Sequence, residues 1–455
     1  MPSEIVRPVI ANAEALLAMH ARQPERYPVL LQSTASNVHT GRYDILMAFP
    51  GEKLQLTSHG LQGHAHGNLF IAALDMWFAE ESTGPGDVAE YRLPFTGGWF
   101  LFLGYELARE LEPHLQGLPQ ASGVIAEAIR IPAAIVRCNV TGSAWIVAEA
   151  GHEQLIDEIA ADLERSGSPV WSMAPAIRGA VEEAPPEEYI EAVQVALEHI
   201  RAGEIYQANL SRGWRARLHD DMQPHDLYRR LWRANAGPFA ALAVLGHTTV
   251  VSSSPERLLE IRNGVASTRP IAGTRPRSRN AARDLELLQQ LRRDPKELAE
   301  HTMLIDLERN DLGRICASGT VVVDEFMTLE SYAHVHHIVS NVRGRVRPGV
   351  TPGRAIAAVF PGGTITGCPK IRCMEIIGAL ERTPRQAYTG SLGYLNRNGD
   401  MDLNILIRTL EIRDREIRFR AGAGIVADSD PHAEVEETRA KARGLLAALE
   451  RVPEV

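Results

Sequence analysis

Cysteine is scarce in this chain: 455 residues hold four, Cys138, Cys316, Cys368 and Cys373. None sits in a CxxC pair and none has a histidine at zinc-finger spacing, so reduced core thiols are expected rather than a disulfide framework or a structural zinc. Long apolar runs are missing too. No stretch of about 18 apolar residues exists, so nothing is expected to span a membrane. The opening MPSEIVRPVIANAEALLAMH carries Glu4 and Glu14 and no basic segment ahead of an apolar one. It does not read as a secretory signal, and the cytoplasm is the expected compartment. Positive charge is also short: 48 Lys+Arg against 57 Asp+Glu give a formal charge of -9. That argues against nucleic-acid binding, which needs a basic stripe. It also means that an anionic substrate gains nothing from the global field and needs local arginines, backbone amides or a metal. No repeat of 20–50 residues is evident.

What is present is ordinary for a globular chain, with 45% hydrophobic and 23% charged residues. The length allows two to four domains, or one large domain with a smaller lobe. The stretch RSGSPVWSMAPAIRGAVEEAPPEE, rich in Pro, Ser, Gly and acid, reads as a linker at 165–187 between an N-terminal lobe (1–164) and a second domain (188–451). In the lobe, Tyr43–Met47 and Trp99–Leu103 read as strands. The second part opens with a helix whose Tyr189, Val193, Ala196, Leu197 and Ile200 follow the 3.6 period, with Gly203 just past its end. A strand over Ile205–Leu218 places Gln207, Asn209 and Ser211 on one face. Asp294-Pro295 and Asp430-Pro431 both read as helix starts. A strand over Asp402–Ile412 would align Asn404, Leu406, Arg408 and Leu410. Clustered strands without a βαβ rhythm point to an α+β fold.

Several segments could carry chemistry. On the last helix Glu434, Glu437 and Lys441 share a face, either as a solvated charged surface or as a site for a hard cation such as magnesium, which takes one or two carboxylates. Ahead of it, Phe419–Ala421 reads as the end of a strand, and Gly422-Ala423-Gly424 follows as a nest of N–H groups for a carboxylate. PGGTITGCPK, 361–370, is no nucleotide loop, because Cys368-Pro369 precedes Lys370 and no Ser or Thr follows it. The helix expected after it, Ile371–Leu380, still offers an N-terminus that favours anions. His336 and His337 are adjacent and face opposite ways in a strand, so they cannot chelate one ion together.

Ten segments occur in order: YQANL, SSSPER, TRPIAGT, LIDLERNDLGR, HHIVS, PGGTITGCPK, YTGSLGY, ILIRTL, AGAGIVADS and EVEETRAK. Over about 185–450 this series resembles the chorismate-utilising enzymes. The resemblance implies a large sandwich of two antiparallel sheets flanked by helices, anthranilate-synthase-like. It implies Mg2+ held by Glu300 and Glu437 with Glu434 in support. It implies substrate contacts from Tyr388, Arg408, Lys441, Thr366, Gly367 and the backbone of Gly422, Ala423 and Gly424. Glu256 resembles the acid that assists loss of the C4 hydroxyl, and His337 the histidine near the reacting ring; Thr274 lies in the same PIAGT segment as Ala272.

Two positions sort the family by nucleophile. Water-using members carry a lysine base where this chain has Gln207, which can orient ammonia but not deprotonate water. The amine branch is therefore implied, with ammonia from a glutamine amidotransferase subunit, since no segment here resembles one. Within that branch, YQANL, Thr366-Gly367, GRYDILMAFP and PFTGGWFLFLGYELAR resemble aminodeoxychorismate synthase component I, which serves p-aminobenzoate and folate synthesis. Ala272 in PIAGT points instead to the alternative, anthranilate synthase component I of tryptophan synthesis, because the aminodeoxychorismate enzymes usually place lysine there. A non-catalytic, amino-acid-binding paralogue is disfavoured by the presence of Glu256, Glu300, His337, Arg408 and Glu437. The N-terminal lobe of related proteins can nonetheless hold tryptophan.

Overall fold

The computed structural model describes residues 4–34, 41–64, 67–83, 93–115, 117–167, 169–278, 280–331 and 335–450. Within them lie two large antiparallel sheets, one of 12 strands and one of 11. Their inner faces meet in a core that mixes Val29, Met47 and Ala241 of the first sheet with Phe100, Ile129 and Leu392 of the second. Helices cover the outer faces. Gly98–Leu103, GWFLFL, is buried along its whole length, as its lack of polar residues requires. No helix of the described residues is long and apolar enough to cross a membrane.

Both sheets run through the expected boundary between the lobe and the second domain. Val29–Gln32 pairs with Phe239–Leu245 in one sheet, and Gly98–Leu103 pairs with Ser391–Asn396 in the other. The stretch expected as a linker is packed down: Trp171, Ala174, Ile177 and Val181 lie against the core, and Glu182–Glu183 pairs with Gln207–Arg217. Its small and polar composition suits an irregular path and does not stop it from packing.

The helix starts appear where the caps place them. Asp294 accepts from the N–H groups of Lys296 and Glu297 at the head of Pro295–Gly313. Asp430 accepts from His432 and Ala433 at the head of Pro431–Glu450. Two strand expectations need correction. Asp402–Ile412 is not one strand: Met401–Asn404 belongs to one sheet and Thr409–Arg413 to the other. The chain crosses between sheets over 405–408, with Arg408 in the left-handed region at φ 53. Ile405 and Ile407 face one core and Leu406 the inter-sheet core, so successive side chains still point opposite ways where the pairing has stopped. The other strand does not stop at Ala421. Glu416–Ile425 pairs with Gln207–Arg217 as far as Ile425, so Gly422-Ala423-Gly424 is extended strand and not a nest.

A buried ion network ties these elements together. The Glu381 carboxylate accepts from Ser211 N, at 2.8 Å, and from Arg385 and Arg420, at 2.6 and 2.9 Å. Arg385 also donates to the carbonyls of Asn209 and Ile365 and lies over the Tyr105 and Tyr388 rings. Burial pushes the Glu381 carboxyl up, but Arg385 and Arg420 outweigh it and hold it below the usual range. Removing one partner of such a group leaves buried charge unmatched. Glu381→Ala is therefore expected to lower unfolding free energy by about 3–5 kcal/mol, read from urea denaturation at neutral pH. A loss below about 1 kcal/mol would show the network to be peripheral.

Candidate active site

The site is built on the strand pair Gln207–Arg217 and Glu416–Ile425. Ala208, Leu210 and Ala423 point into a core with Val193, Leu197, Ile377 and Val435. The alternate positions Gln207, Asn209, Gly422 and Gly424 therefore face the other way. The absence of a Cβ keeps that face clear. A Cβ at Gly424 would stand 2.2 Å from Gln207 Nε2, and one at Gly422 would stand 2.7 Å from the Tyr388 hydroxyl. Beyond Phe419 this strand pairs only with Gln207–Arg217 among the described residues, so its other backbone edge is open.

Two helices bring carboxylates to this face. Gln207 Nε2 donates to Glu300 Oε1 at 3.0 Å. Burial pushes Glu300 up; Glu297 and Glu437 add to the push, while Gln207 and Lys441 oppose it. Glu434 is raised by burial and then by Glu437, against the pull of Ser429, Lys296 and Lys441, and its Oε2 is buried with no hydrogen-bond partner among the described residues. Lys441 Nζ bonds Glu437 Oε1 at 2.8 Å. Its side chain keeps 47% exposure at the open mouth of the site. Partial loss of water around its ammonium group lowers its pKa, but Glu437, Tyr388 and Glu300 outweigh that and raise it, so the charge persists. Glu297, held by Arg275 at 3.0 Å, was not among the sequence-derived site residues. Its place at the head of a helix read as a cap. The signal was that 297/300 repeats the three-residue spacing of 434/437.

A second group lies around Glu256, His337 and Arg408. Glu256 is 5% exposed, and its Oε1 has no partner among the described residues. Burial drives its pKa up to about 7, against the pull of Thr364, the Ile271 N–H, Arg408 and Lys441. His337 is pushed down to about 3 by burial and then by Arg408, and so is neutral at pH 7. Its Nδ1 lies 3.3 Å from the Gly273 carbonyl, which leaves Nε2 as the lone-pair nitrogen. The Arg408 guanidinium makes no hydrogen bond or ion pair among the described residues, and burial lowers its pKa despite Glu256. His336 turns away to Ser331 and Asp284, as adjacent strand residues must.

The remaining positions support the site's walls. Ala272, 7% exposed, pairs with Ile338 beside His337, next to a bulge at Gly273. The Thr274 side chain lies outside the described residues. The Thr366 hydroxyl is turned into its own loop, donating to the Gly362 carbonyl at 2.9 Å. Gly367 packs on the Gln207 carbonyl, where a Cβ would stand 2.1 Å away. A cleft of about 600 Å3 continues along the strand pair past Tyr388, lined by Tyr189, Arg212 and Arg418, with the Glu381–Arg385–Arg420 network in its wall.

Residues 40–447 match the profile of the chorismate binding enzymes. The chain is 43% identical over 373 residues to the anthranilate synthase component I-like protein of Synechocystis sp., covering 79% of this chain and 74% of that one. It is 40% identical over 377 residues to anthranilate synthase component 1 of Acinetobacter calcoaceticus, covering 78% and 75%. The crystal structure of anthranilate synthase component I from Streptococcus pneumoniae superposes with a TM-score of 0.78 at 28% identity, covering 90% of this chain and 92% of that one. The chain belongs to the chorismate-binding enzyme family.

Proposed function

We propose that this chain catalyses the anthranilate synthase component I reaction, in which chorismate and ammonia give anthranilate, pyruvate and water. The observation that carries the choice of branch is Ala272. A methyl group stands where a lysine nucleophile would be needed to direct ammonia to C4. Lys370 is engaged by Asp311 and the Val359 carbonyl, and Arg275 by Asp294 and Glu297. The anthranilate synthase relatives support the same reading. The resemblance of YQANL, Thr366-Gly367 and the N-terminal segments to aminodeoxychorismate synthase is thereby outweighed: those residues shape walls and strands, whereas position 272 bears on the reacting carbon.

The residues divide the work as follows. Arg408, Lys441, Tyr388 and the open backbone edge at Gly422–Gly424 bind the two carboxylates of the substrate. Gln207 is oriented by one N–H bond to Glu300, and its Oε1, without a partner among the described residues, is left to accept from ammonia and aim its lone pair at C2. As the C2–N bond forms, the ring π electrons shift and the C4–O bond breaks. Glu256 gives its proton to the departing hydroxyl, which leaves as water; a pKa near the working pH suits that role. His337, neutral, can then take the C2 proton as the enolpyruvyl group leaves and the ring becomes aromatic.

The glutamates fit a magnesium ion. The orphaned Glu434 Oε2 and the mutual repulsion of Glu297, Glu300 and Glu437 leave negative charge unmatched. Magnesium takes one or two carboxylates and fills the rest of its shell with waters and substrate oxygens. Bound there, it would neutralise substrate carboxylate. Ammonia is proposed to come from a glutamine amidotransferase subunit. A pocket of about 270 Å3 beside Ser33, Tyr43, Phe239 and Tyr394 is where tryptophan binding in the N-terminal lobe would be sought.

Three outcomes are expected. With chorismate, Mg2+ and ammonium the chain forms anthranilate, and glutamine alone does not replace ammonium; aminodeoxychorismate as the main product would overturn the assignment. Turnover falls as pH rises through about 7, because Glu256 must be protonated to act. Glu256→Gln, which cannot donate an acidic proton, loses roughly 100-fold or more. Neutral His337 adds no acid limb above about pH 4, given its pKa of about 3. Finally, Glu437→Gln raises the Mg2+ concentration needed for half-maximal rate by roughly 10-fold or more; an unchanged requirement would remove Glu437 from the metal set.

A further inference from the structure

Two side-chain amides face the site from the strand Gln207–Arg217, and the mechanism uses one of them. Gln207 is tied to Glu300 at 3.0 Å. Asn209, two residues on, lies on the same face about 7 Å away. Its backbone is fully engaged: the N–H donates to the Thr366 carbonyl, and the carbonyl accepts from Arg385. Its side chain makes no hydrogen bond among the described residues, although the residue is only 9% exposed and Oδ1 is buried. A buried amide without a partner destabilises the free chain, and an apolar side chain in its place would not.

Gly422 defines what the amide faces. A Cβ on that glycine would stand 2.7 Å from the Tyr388 hydroxyl and 2.9 Å from Asn209 Oδ1, so the two polar groups converge over one stretch of bare backbone. The Tyr388 hydroxyl, on a residue 6% exposed, also makes no hydrogen bond among the described residues. The two are near enough to share one small ligand. The strand face is polarised between its amides. At Gln207 the neighbours are carboxylates, Glu300 with Glu297 and Glu437 near it. At Asn209 they are cations. Arg385 and Arg420 hold a single carboxylate, Glu381, between them, which leaves one positive charge in excess, and Arg385 lies 5.6 Å from the Tyr388 ring centre. Lys441 adds its field at the hydroxyl. An amine suits the first end and a carboxylate the second. Tyrosine brings an O–H donor. An amide has a donor on one side and an acceptor on the other, and with no protein partner to fix its rotation it can turn its NH2 to an anion.

We propose that Asn209 is a substrate-binding residue whose side-chain NH2, together with the Tyr388 O–H, holds one carboxylate of chorismate beside Gly422. No covalent bond is made or broken there. The inference rests on the chorismate-converting reading of the site, but not on which carbon receives nitrogen.

The test separates binding from chemistry. Calorimetric titration of the full chain with chorismate and Mg2+, with no ammonium to consume it, reads Kd. Asn209→Val removes both polar ends and suits a strand. Its Kd for chorismate is expected to rise roughly 10-fold or more, as for a lost hydrogen bond to a charged group. In turnover, KM for chorismate rises with it, while kcat and KM for ammonium stay within about 3-fold of wild type. The free variant melts at or above the wild-type temperature, because no contact within the chain is lost. Asn209→Asp sets charge against charge in the same shape and weakens chorismate at least as much at about pH 8. An unchanged chorismate Kd in Asn209→Val overturns the proposal, and so does a rise confined to the ammonium KM, which makes the amide an amine site. A lower melting temperature also overturns it, assigning the amide to the framework. If Asn209→Val does not fold, the chorismate Kd of Asn209→Asp decides, and a wild-type value overturns the proposal. A wild-type chain that neither binds nor consumes chorismate refutes the proposed function and this contact with it, whereas a wild-type chain that does both, beside an Asn209→Val of equal affinity, refutes the contact alone.

Discussion

The arrangement of the site depends on one buried interaction, the Glu381 carboxylate gripped by Arg385 and Arg420. Glu381 ends the helix that follows the PGGTITGCPK loop, Arg385 reaches the Asn209 and Ile365 carbonyls, and Arg420 bonds Ser211 on the neighbouring strand. Helix, loop and the strand pair that carries Gln207 and the glycines are thereby fixed at one point. Tyr388, with its ring beside the Arg385 guanidinium, is placed over Gly422 by the same contacts. The network also lies in the wall of the 600 Å3 cleft.

Around this frame an acidic protein has to hold a substrate with two carboxylates. The chain's formal charge of -9 works against that, and the answer is local. Arg408 makes no hydrogen bond or ion pair among the described residues, and Lys441 stays charged because Glu437, Tyr388 and Glu300 outweigh the loss of water around its ammonium group. The glutamates come from two helices in pairs spaced by three residues, a pattern that leaves negative charge for a cation to neutralise. The proton chemistry is set by burial in both directions. It raises Glu256 so that a carboxylic acid persists near neutrality and lowers His337 so that a base persists there. The proposed metal, acid and base roles all rest on the same low-dielectric environment acting on different groups.

Much of this was legible in the sequence. Aspartate-proline pairs marked both helices that carry the glutamates, and the period of two set the face of Gln207 and Asn209. The sheet sandwich followed from the ordered motifs. The crossing at 405–408 was not legible, because successive side chains there point into different cores, just as they would on a strand between two layers. The extent of Glu416–Ile425 was hidden because Gly422-Ala423-Gly424 suggested a loop, whereas its glycines serve to clear space for Gln207 and Tyr388. Glu297 was concealed in the first turn of a helix, one turn before Glu300, and only the tertiary fold brings Glu437 to Glu300 from a second helix. The branch of the family turned on weighing motifs. Several peripheral resemblances pointed to aminodeoxychorismate and one residue at the reacting carbon to anthranilate, and the relatives side with the single residue.

The central claim is that chorismate is held between the Gln207/Gly422–Gly424 strand edge and the Glu256–His337–Arg408 group. The most direct measurement is a crystal structure of the chain soaked with Mg2+ and chorismate or an unreactive analogue. The account expects a substrate carboxylate on Arg408, the ring beneath His337 with its C4 oxygen at Glu256, and the ion between Glu300 and Glu437. Ligand seated instead in the 600 Å3 cleft beyond Tyr388, or an ion bound away from both glutamates, would contradict it.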